Sequence, residues 1–478
     1  MEELFETSVS VLTDLVKEYS SNEIIKYSPL AQSGSRRRYF RFILEDGNSI
    51  IGAYNEDIAE NIAFFTYSDF FLSKNLNVPT ILKIHNDKKH YLINDLGKET
   101  LYDIICNTKK ENSDFQRVIR YYEKVVAALP KFQLTNREGL DLSVAYPRAA
   151  FDRQSMQWDL NYFKYYYLKM VNIQFNEQLL EDDYQAFMDY LLSVDSNYFL
   201  YRDFQSRNIM VQGDDVYFID YQGGRKGALQ YDIASLLYDA KADLSPDIRN
   251  YLLNKYLDEL EKHILVDREK FKSYVNAFSL IRIMQAMGAY GYRGYFERKA
   301  HFLQSIPYAI NNLKYLLKNN SLPDNLKELN KVLRDVVEHY KPITISNSDN
   351  LTLDICSFSY KKGIPEDYSG NGGGFVFDCR ALPNPGREKE YQTFTGLDAC
   401  VKEYLRKYDE VQNFEKHIFA IVDMSIDNYL ERKFTHLSIN FGCTGGQHRS
   451  VFLAESTATH IRKKYPQVII NLKHTNLQ

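Results

Sequence analysis

The sequence predicts a mixed α+β domain of two lobes, followed by a compact α/β domain. Three observations support this fold class. The 478 residues exceed what one ordinary hydrophobic core accommodates. Strand-like and helical patterns are segregated in the first part of the chain and alternate in the last part. A stretch rich in Ser, Asn and Asp after Pro342, "KPITISNSDN", separates the two patterns. We therefore predict domains over residues 1–342 and 343–478.

The first domain begins with a predicted helix and a small sheet-based lobe. "RRRYFRFILEDGNSIIGAY" is typical of two strands around an Asp-Gly-Asn turn. A helix over residues 58–74, strands in "VPTILKIH" and "KHYLIND", and a helix in "LGKETLYDII" follow. Apolar residues then recur at three- and four-residue spacing over residues 112–194, and again from "YDIASLLYDA" to about residue 340, which predicts a largely helical second lobe.

Composition excludes several classes of protein. The 63 acidic and 59 basic residues give a formal charge of −4, and residues 343–478 carry 16 of each sign, so no electrostatic attraction to nucleic acid or membrane is expected. The N-terminal "MEELFETSVSVLTDL" is acidic, and no eighteen consecutive residues are apolar, which predicts a cytoplasmic protein without membrane contact. Five cysteines without a CxxC pair argue against a disulfide framework and a structural zinc site.

One segment of the first domain carries a candidate for phosphoryl transfer. In "YFLYRDFQSRNIMVQGDDVYFIDYQGG", two apolar strands flank an acidic hairpin, so Asp203, Asn208 and Asp220 are expected at one edge. Transfer to a hydroxyl needs a carboxylate that orients and deprotonates the acceptor, and oxygen ligands that hold Mg²⁺ against nucleotide phosphates. The alternative is that Asp203 and Asn208 bond only to their own turn while Asp220 caps the next element of the chain.

"RDFQSRNIM", "FIDYQGG" and "YDIASLLYDA" resemble the aminoglycoside phosphotransferase and choline kinase family, and most of all its cell-wall amino-sugar kinases. The resemblance covers about residues 20–315. It implies a two-lobed fold like that of protein kinases and ATP-dependent phosphorylation of a sugar. By position, it also implies that Asp203 is the catalytic base and that Asn208 and Asp220 hold magnesium.

The same resemblance suggests where the nucleotide binds. "LINDLG" is similar to the family's hinge, so Asn94, Asp95 and Leu96 are expected beside the adenine. The small-residue loop of Ser33, Gly34 and Ser35 is expected to contact the nucleotide as well. Two departures stand out: Tyr201 occupies the place of the family's histidine, and "IIGAYNE" lacks the usual strand lysine. The arginines at positions 36–38 either contact phosphate or are solvated.

Two further residues have alternative interpretations. Trp158, the only tryptophan, either stacks on a sugar ring or packs in a helical core. Asp232, near the start of "YDIASLLYDA", is expected to cap that helix.

The second domain contains a candidate anion site. "THLSINFGCTGGQHRSVFLAESTATHIRKKY" predicts a strand, a glycine-containing turn and a helix, with a C-x5-R pattern from Cys443 to Arg449. Backbone N–H groups at a helix N-terminus favour phosphate, and an arginine can clamp two oxygens. The same environment would lower the pKa of Cys443, which makes a cysteine-dependent phosphatase one alternative. Another is that Cys443 is simply a small buried residue.

"SFSYKKGIPED", "FDCRALPNP", "TGLD" and "GCTGGQHRSV" together resemble the C-terminal domain of the RNase adapter protein RapZ, over about residues 350–470. The resemblance implies binding of an amino-sugar phosphate and of RNA, and self-association through this domain. The expected phosphate contacts are Thr444, Gly445, Gly446, Gln447, His448 and Arg449, with Asp378, Arg380, Asn384 and Cys443 beside them. Gly386 replaces a common histidine, and the balanced charge argues against RNA.

Together, these patterns predict an ATP- and Mg²⁺-dependent kinase for an N-acetylated amino sugar, fused to a domain that binds a phosphorylated amino sugar. The alternative is a RapZ-like regulatory adapter whose kinase half is degenerate.

Overall fold

The computed structural model describes residues 2–30, 37–111, 113–297, 299–319, 323, 325–340, 350–365 and 374–477. Ser33, Gly34 and Ser35 lie outside this part of the chain, as does most of the predicted linker. The chain divides into two compact units, one of Met1–Tyr292 with Ser305–Tyr340 and the other of Arg293–Gln304 with Lys341–Gln478. Among the described residues, no helix is long and apolar enough to cross a bilayer.

A five-stranded antiparallel sheet forms the first lobe of the first unit, in the order β1-β2-β3-β5-β4. Its strands are β1 (Ile24–Pro29), β2 (Arg38–Leu44), β3 (Ser49–Tyr54), β4 (Ile81–Ile84) and β5 (His90–Asn94). The helix α1 (Glu2–Tyr19) packs Leu12 and Val16 against Phe40 and Phe42 on one face of this sheet. Gly52 permits the close approach, because a Cβ there would lie 2.8 Å from the Phe42 ring. The predicted hairpin around the Asp-Gly-Asn turn is thus confirmed.

The second lobe is helical, as predicted, and carries two short hairpin-like pairs of strands. The helices of the first unit after α1 are α2 (Ile58–Ser73), α3 (Leu101–Lys110), α4 (Gln116–Gln133), α5 (Arg153–Phe163), α6 (Glu177–Leu192), α7 (Leu229–Leu237), α8 (Pro246–Leu260), α9 (Arg268–Tyr290), α11 (Ile306–Lys318) and α12 (Lys327–His339), whereas the short α10 (Ala300–Leu303) belongs to the second unit. In the paired strands, β6 (Tyr198–Leu200) joins β9 (Arg225–Gly227), and β7 (Ile209–Gln212) joins β8 (Asp215–Phe218).

Interlocked aromatic rings fix the position of β6 and the loop after it. Phe71 of α2 meets Phe132 of α4 and Phe199 of β6 edge to face, with ring centroids 4.9 and 5.4 Å apart. Tyr201 meets Phe132 in the same way at 5.7 Å. Because such rings are fully buried and rigidly packed, the loop from residue 201 starts from a fixed anchor.

The second unit contains a four-stranded parallel sheet in the order β11-β12-β10-β13. Its strands are β10 (Thr352–Ser359), β11 (Gly374–Asp378), β12 (His436–Cys443) and β13 (Ile469–His474), and its helices are α13 (Ala399–Arg406), α14 (Asp409–Glu431) and α15 (Arg449–Lys464). The strand-like segments "LTLDICSFSY", "FVFDCR", "THLSINFG" and "QVIINL" of the sequence form these four strands. Its core is built from Leu353, Ile439 and Phe441 of the sheet with Leu453 and Ala458 of α15.

Candidate functional site

The loops after β6 and β8 bring Asp203, Asn208 and Asp220 together. Nδ2 of Asn208 donates to the backbone oxygen of Asp203 at 2.8 Å and to Oδ2 of Asp220 at 3.2 Å. Oδ1 of Asp220 accepts from Nε2 of Gln222 at 2.7 Å. Asn208 therefore does bond to its own turn, but Asp220 faces that turn and does not cap a following helix.

The electrostatics of this cluster favour a bound cation. Burial and repulsion from Asp203 raise the pKa of Asp220, against the hydrogen bond from Gln222 and the charge of Arg37. The Asp203 side chain is 43% exposed and so remains open to an acceptor. Asp220 also has a φ of +68°, a left-handed conformation that costs energy for most residues and that recurs at functional sites.

Two contacts that the sequence did not reveal hold the Asp203 loop. Arg202, with a φ of +84°, forms a bidentate ion pair with Asp159 of α5, at 2.8 and 2.9 Å. Arg282 of α9 places its Nη2 3.8 Å from Oδ1 of Asp203. Arg202 adjoins the predicted base, but neither Asp159 nor Arg282 lies in a motif that marks it as its partner.

The prediction that Asp232 caps a helix is wrong. α7 begins after Ala228 without a side-chain cap, and Asp232 lies inside it, fully buried. Its carboxylate accepts from the backbone N–H groups of Tyr201 at 2.9 Å and Arg202 at 3.0 Å. Burial raises the pKa of Asp232 to about 7, although these hydrogen bonds oppose that rise. Asp232 therefore fixes the backbone that leads into Asp203.

Of the three predicted hinge residues, Asn94 ends β5 and Asp95 and Leu96 follow it, and the side chains of all three contact the protein. Asp95 accepts two hydrogen bonds from Arg41, at 2.5 and 2.9 Å, and one from Ser49 at 2.7 Å. Burial opposes its charged form, but these partners hold the pKa of Asp95 below its usual value. Oδ1 of Asn94 accepts from the Thr80 N–H, and Leu96 is buried. Any nucleotide contact of this segment would therefore use its backbone.

Trp158 lies on the surface of α5 and not in a core. Its side chain is 50% exposed, and the Arg148 guanidinium lies 5.3 Å from its ring centroid. The neighbouring Asp159 reaches Arg202, so this helix borders the Asp203 loop. The interpretation of Trp158 as a core residue is therefore wrong.

In the second unit, Cys443 ends β12 beneath the glycine-containing loop. Its sulfur is 3% exposed, accepts from the Gly446 N–H at 3.2 Å and lies 3.1 Å from Oγ of Ser450. Burial opposes ionisation of the thiol, but hydrogen bonds from Ser450 and Gly446, with the charge of Arg449, hold the pKa of Cys443 below its ordinary value. The thiol of Cys443 therefore ionises more readily than an ordinary cysteine, while its sulfur is shielded from solvent.

The loop itself has an open apex. Thr444 and Gly445 are exposed, and a Cβ on Gly445 would meet nothing within 4 Å. Gly446 has a φ of +68°, and a Cβ there would lie 2.7 Å from Asn476. These features leave Thr444 and Gly445, at the apex of the loop that precedes α15, open to solvent.

Side chains at the end of the loop bind neighbouring backbone. Nη1 of Arg449 donates to the carbonyl oxygens of Arg380 and Leu382, both at 2.9 Å, while its buried Nε has no hydrogen-bond partner among the described residues. Nε2 of Gln447 donates to the carbonyl oxygens of Gln392 and Phe394. Nε2 of His448 lies 3.0 Å from the Tyr391 oxygen. Arg449 therefore ties the loop to residues 380–382.

The expected neighbours on the facing segment lie after β11. Arg380 forms a bidentate ion pair with Asp378, at 2.6 to 3.0 Å, and lies 4.0 Å from the Tyr360 ring centroid. Oδ1 of Asn384 accepts from the Gly386 N–H at 3.3 Å. A Cβ on Gly386 would lie 3.3 Å from the His448 ring, so this segment approaches the end of the loop.

Two protein families match separate parts of the chain. Residues 33–266 match the phosphotransferase enzyme family, and residues 351–478 match the RapZ C-terminal domain. The two family resemblances seen in the sequence are thereby confirmed. So is the predicted fold class, a kinase-like domain followed by an α/β domain with a parallel sheet.

Curated relatives share only part of the chain. A nucleotide-binding protein of Xanthomonas campestris pv. campestris (strain 8004) is 41% identical over 125 residues, which are 26% of this chain and 43% of that protein. One from Xylella fastidiosa (strain 9a5c) is 36% identical over 136 residues, 28% of this chain and 44% of that protein. The chain thus spans less than half the length of these relatives.

Solved structures of kinases are distant neighbours. A choline kinase from Cryptosporidium parvum Iowa II has a TM-score of 0.47 and 12% identity, covering 68% of this chain and 99% of its own. A putative fructosamine-3-kinase from Thermobifida fusca has a TM-score of 0.40 and 15% identity, covering 63% and 98%.

Proposed function

We propose that this chain, which carries a domain of the phosphotransferase enzyme family and a RapZ C-terminal domain, phosphorylates a hydroxyl of an N-acetylated amino sugar with ATP. The observation that carries the proposal is the cluster of Asp203, Asn208 and Asp220. A solvent-accessible carboxylate beside a second carboxylate and an amide supplies the groups that phosphoryl transfer to a hydroxyl requires.

Asp203 is the proposed catalytic base. Its exposed carboxylate orients the acceptor hydroxyl and takes its proton as the oxygen attacks the γ-phosphorus, while the bond to the bridging oxygen breaks and ADP leaves. Arg282, 3.8 Å away, and the Asp232 bonds to Tyr201 and Arg202 support its position. Preorganisation of this kind accounts for much of the catalysis in such reactions.

Asn208 and Asp220 are the proposed magnesium ligands. Nδ2 of Asn208 makes two hydrogen bonds. Its Oδ1 points away from those two partners and can serve as the metal ligand. The raised pKa of Asp220 means that neighbouring groups do not fully compensate its negative charge. A bound divalent cation would supply that compensation. The donor set therefore fits Mg²⁺, which when bound neutralises charge on the nucleotide phosphates.

The proposed acceptor class rests on both domains and on α5. The resemblance of "RDFQSRNIM" to amino-sugar kinases and the RapZ-type domain both suggest an amino sugar. Trp158 adds an exposed aromatic surface next to Asp159, which contacts the Asp203 loop through Arg202. Rings of this kind pack against the apolar faces of sugars.

The second domain is proposed to bind a phosphorylated amino sugar at the loop of residues 444–449, with Asp378, Arg380 and Asn384 nearby. The exposed apex of this loop at Thr444 and Gly445 and the depressed pKa of Cys443 both support an anion site. The 16 basic and 16 acidic residues after position 342 favour a small anion over RNA. Self-association through this domain remains a prediction of the resemblance.

The experiment that tests the function is a phosphorylation assay with ATP and Mg²⁺ against a panel of hexosamines and N-acetylhexosamines. We expect one N-acetylated hexosamine to be phosphorylated, and Asp203→Asn to lower turnover by about a hundredfold or more while ATP still binds. Asp214→Asn, in the exposed hairpin turn, is the matched control. A wild type that phosphorylates no sugar would favour the regulatory adapter instead.

A further inference from the structure

The sheet face opposite α1 presents an unusual arrangement of cations. Tyr39 lies directly across from Ala53, which lies across from Tyr91, so these three residues share this face. Ser49, Ile51 and Ala53 are the residues of β3 that point to it, and none is charged. Alternation along β2 places Arg37 and Arg41 on the same face. The cations that lie beside β3 on this face therefore come from β2 and the residue before it.

Arg41 has its Nε and Nη2 donors committed to the protein. Its Nε and Nη2 pair with the two oxygens of Asp95, and Nη2 also donates to the Gly97 oxygen at 2.6 Å. This arginine ties β2 to the segment after β5. It is therefore a structural group.

Arg37 is equally buried but far less satisfied. It is 5% exposed, and Nη1 donates to the Tyr39 hydroxyl at 3.3 Å. Nη2 lies 3.2 Å from Oε1 of Glu60 on α2. Among the described residues, neither Nε nor Nη2 has a hydrogen-bond partner of good geometry. A buried guanidinium with unused donors is costly unless a ligand accepts from them.

Arg37 is linked to the proposed metal site by a short chain of contacts. The same Oε1 of Glu60 lies 3.4 Å from Nε2 of Gln222, which donates to Oδ1 of Asp220 at 2.7 Å. An anion that spans Asp220-bound magnesium and Arg37 would satisfy both groups.

We propose that Arg37 binds phosphate oxygens of the nucleotide through Nε and Nη2, and that Glu60 positions its guanidinium. Nε and Nη2 lie on one edge of the guanidinium, the edge that binds two oxygens in parallel. Glu60 is a positioning residue, since its carboxylate holds Arg37 and Gln222 together. This inference rests on the proposed function, because it assigns a cation to the phosphates of that same nucleotide.

The test compares ATP and adenosine binding to the full chain by calorimetry in the presence of Mg²⁺. Arg37→Met keeps the length of the side chain and removes its charge. We expect it to weaken ATP binding about 10- to 100-fold and to leave adenosine binding unchanged. Arg38→Ala, on the opposite face of the same strand, is the matched control and should match the wild type for both ligands.

Arg37→Lys keeps the positive charge but lacks the paired donors of the guanidinium. It is the test variant if Arg37→Met does not fold. We expect it to weaken ATP binding about 3- to 10-fold, again without an effect on adenosine. A folded Arg37→Met, or failing that Arg37→Lys, with wild-type affinity for ATP would overturn the role of Arg37 alone. If ATP binding depends on Arg37 but the wild type phosphorylates no sugar, the proposed function is overturned while the role of Arg37 stands. A wild type that binds no ATP would overturn both.

Discussion

Asp159 and Arg202 form a bidentate ion pair across two elements of the first unit, with Oδ1 2.8 Å from Nη2 and Oδ2 2.9 Å from Nη1. Both side chains are largely buried. The pair fixes the residue immediately before the proposed base, in a conformation with positive φ. Asp159 therefore acts on catalysis through the backbone of its partner.

Asp159→Asn tests this role. Removing one charge leaves Arg202 buried and uncompensated, so we expect a loss of about 3 kcal/mol in the free energy of unfolding. We also expect kcat for sugar phosphorylation to fall about tenfold with KM for ATP unchanged. Trp158, the only tryptophan, reports unfolding of the first unit by fluorescence. Asp189→Asn breaks the exposed pair with Arg153 and should change neither quantity measurably. Equal effects of the two variants would contradict the assignment.

A pH dependence of stability follows from Asp232. Its pKa of about 7 in the folded chain exceeds the usual 3.9 or so of an unfolded Asp, so the folded state binds an extra proton between these values. The stability that this proton contributes is complete below about pH 4 and is lost as the pH rises through about 7. We expect the wild type to lose about 2 to 4 kcal/mol relative to Asp232→Asn over this window.

Urea unfolding of both proteins between pH 4 and 8, followed by Trp158 fluorescence, measures this difference. Asparagine cannot ionise in this pH range. Any other effect of Asp232→Asn on the free energy of unfolding is therefore the same at every pH and leaves the pH dependence of the difference unchanged. Parallel profiles for the two proteins would show that Asp232 does not titrate in this range.

Cys443 is predicted to support the anion site without acting as a nucleophile. Its sulfur is enclosed and already accepts from the Gly446 N–H, and a serine oxygen can accept that same bond. Cys443→Ser should therefore bind glucosamine 6-phosphate within about threefold of wild type by calorimetry. Neither protein should hydrolyse p-nitrophenyl phosphate. Hydrolysis by wild type that Cys443→Ser abolishes would instead identify a phosphatase.

Local patterns account for the features that the sequence predicted correctly. The β2–β3 hairpin follows from an Asp-Gly-Asn turn between apolar strands, and Asp203, Asn208 and Asp220 lie within one strand-loop-strand segment. These three side chains come together once that single segment folds. The family motifs are equally local, which is why both domain families were recognisable.

Contacts over long sequence separations account for the features that it missed. Asp159 lies 43 residues before Arg202, and Asp232 lies 30 residues after it. Asp232 matched the sequence pattern of a helix cap. In the structure it is instead buried inside α7, where it accepts hydrogen bonds from the backbone N–H groups of Tyr201 and Arg202. Likewise, the sequence did not reveal that Nη1 of Arg449 binds carbonyl oxygens of a segment almost 70 residues away, and a phosphate contact of this arginine stays a prediction.

The commitment of Arg449 to the protein makes Gly445 the sharper test of the proposed phosphosugar site. A Cβ at Gly445 would meet no atom within 4 Å, unlike one at Gly446, which would lie 2.7 Å from Asn476. Gly445→Asp should place a negative charge at the proposed anion site without disturbing the fold. Because repulsion at about 4 Å costs roughly 1 to 4 kcal/mol, we expect glucosamine 6-phosphate to bind at least about tenfold more weakly. Gly445→Ala adds a side chain without charge and should bind as the wild type does. Calorimetry on the full chain compares the three proteins, and unchanged affinity in Gly445→Asp, given binding by the wild type, would place the phosphosugar elsewhere.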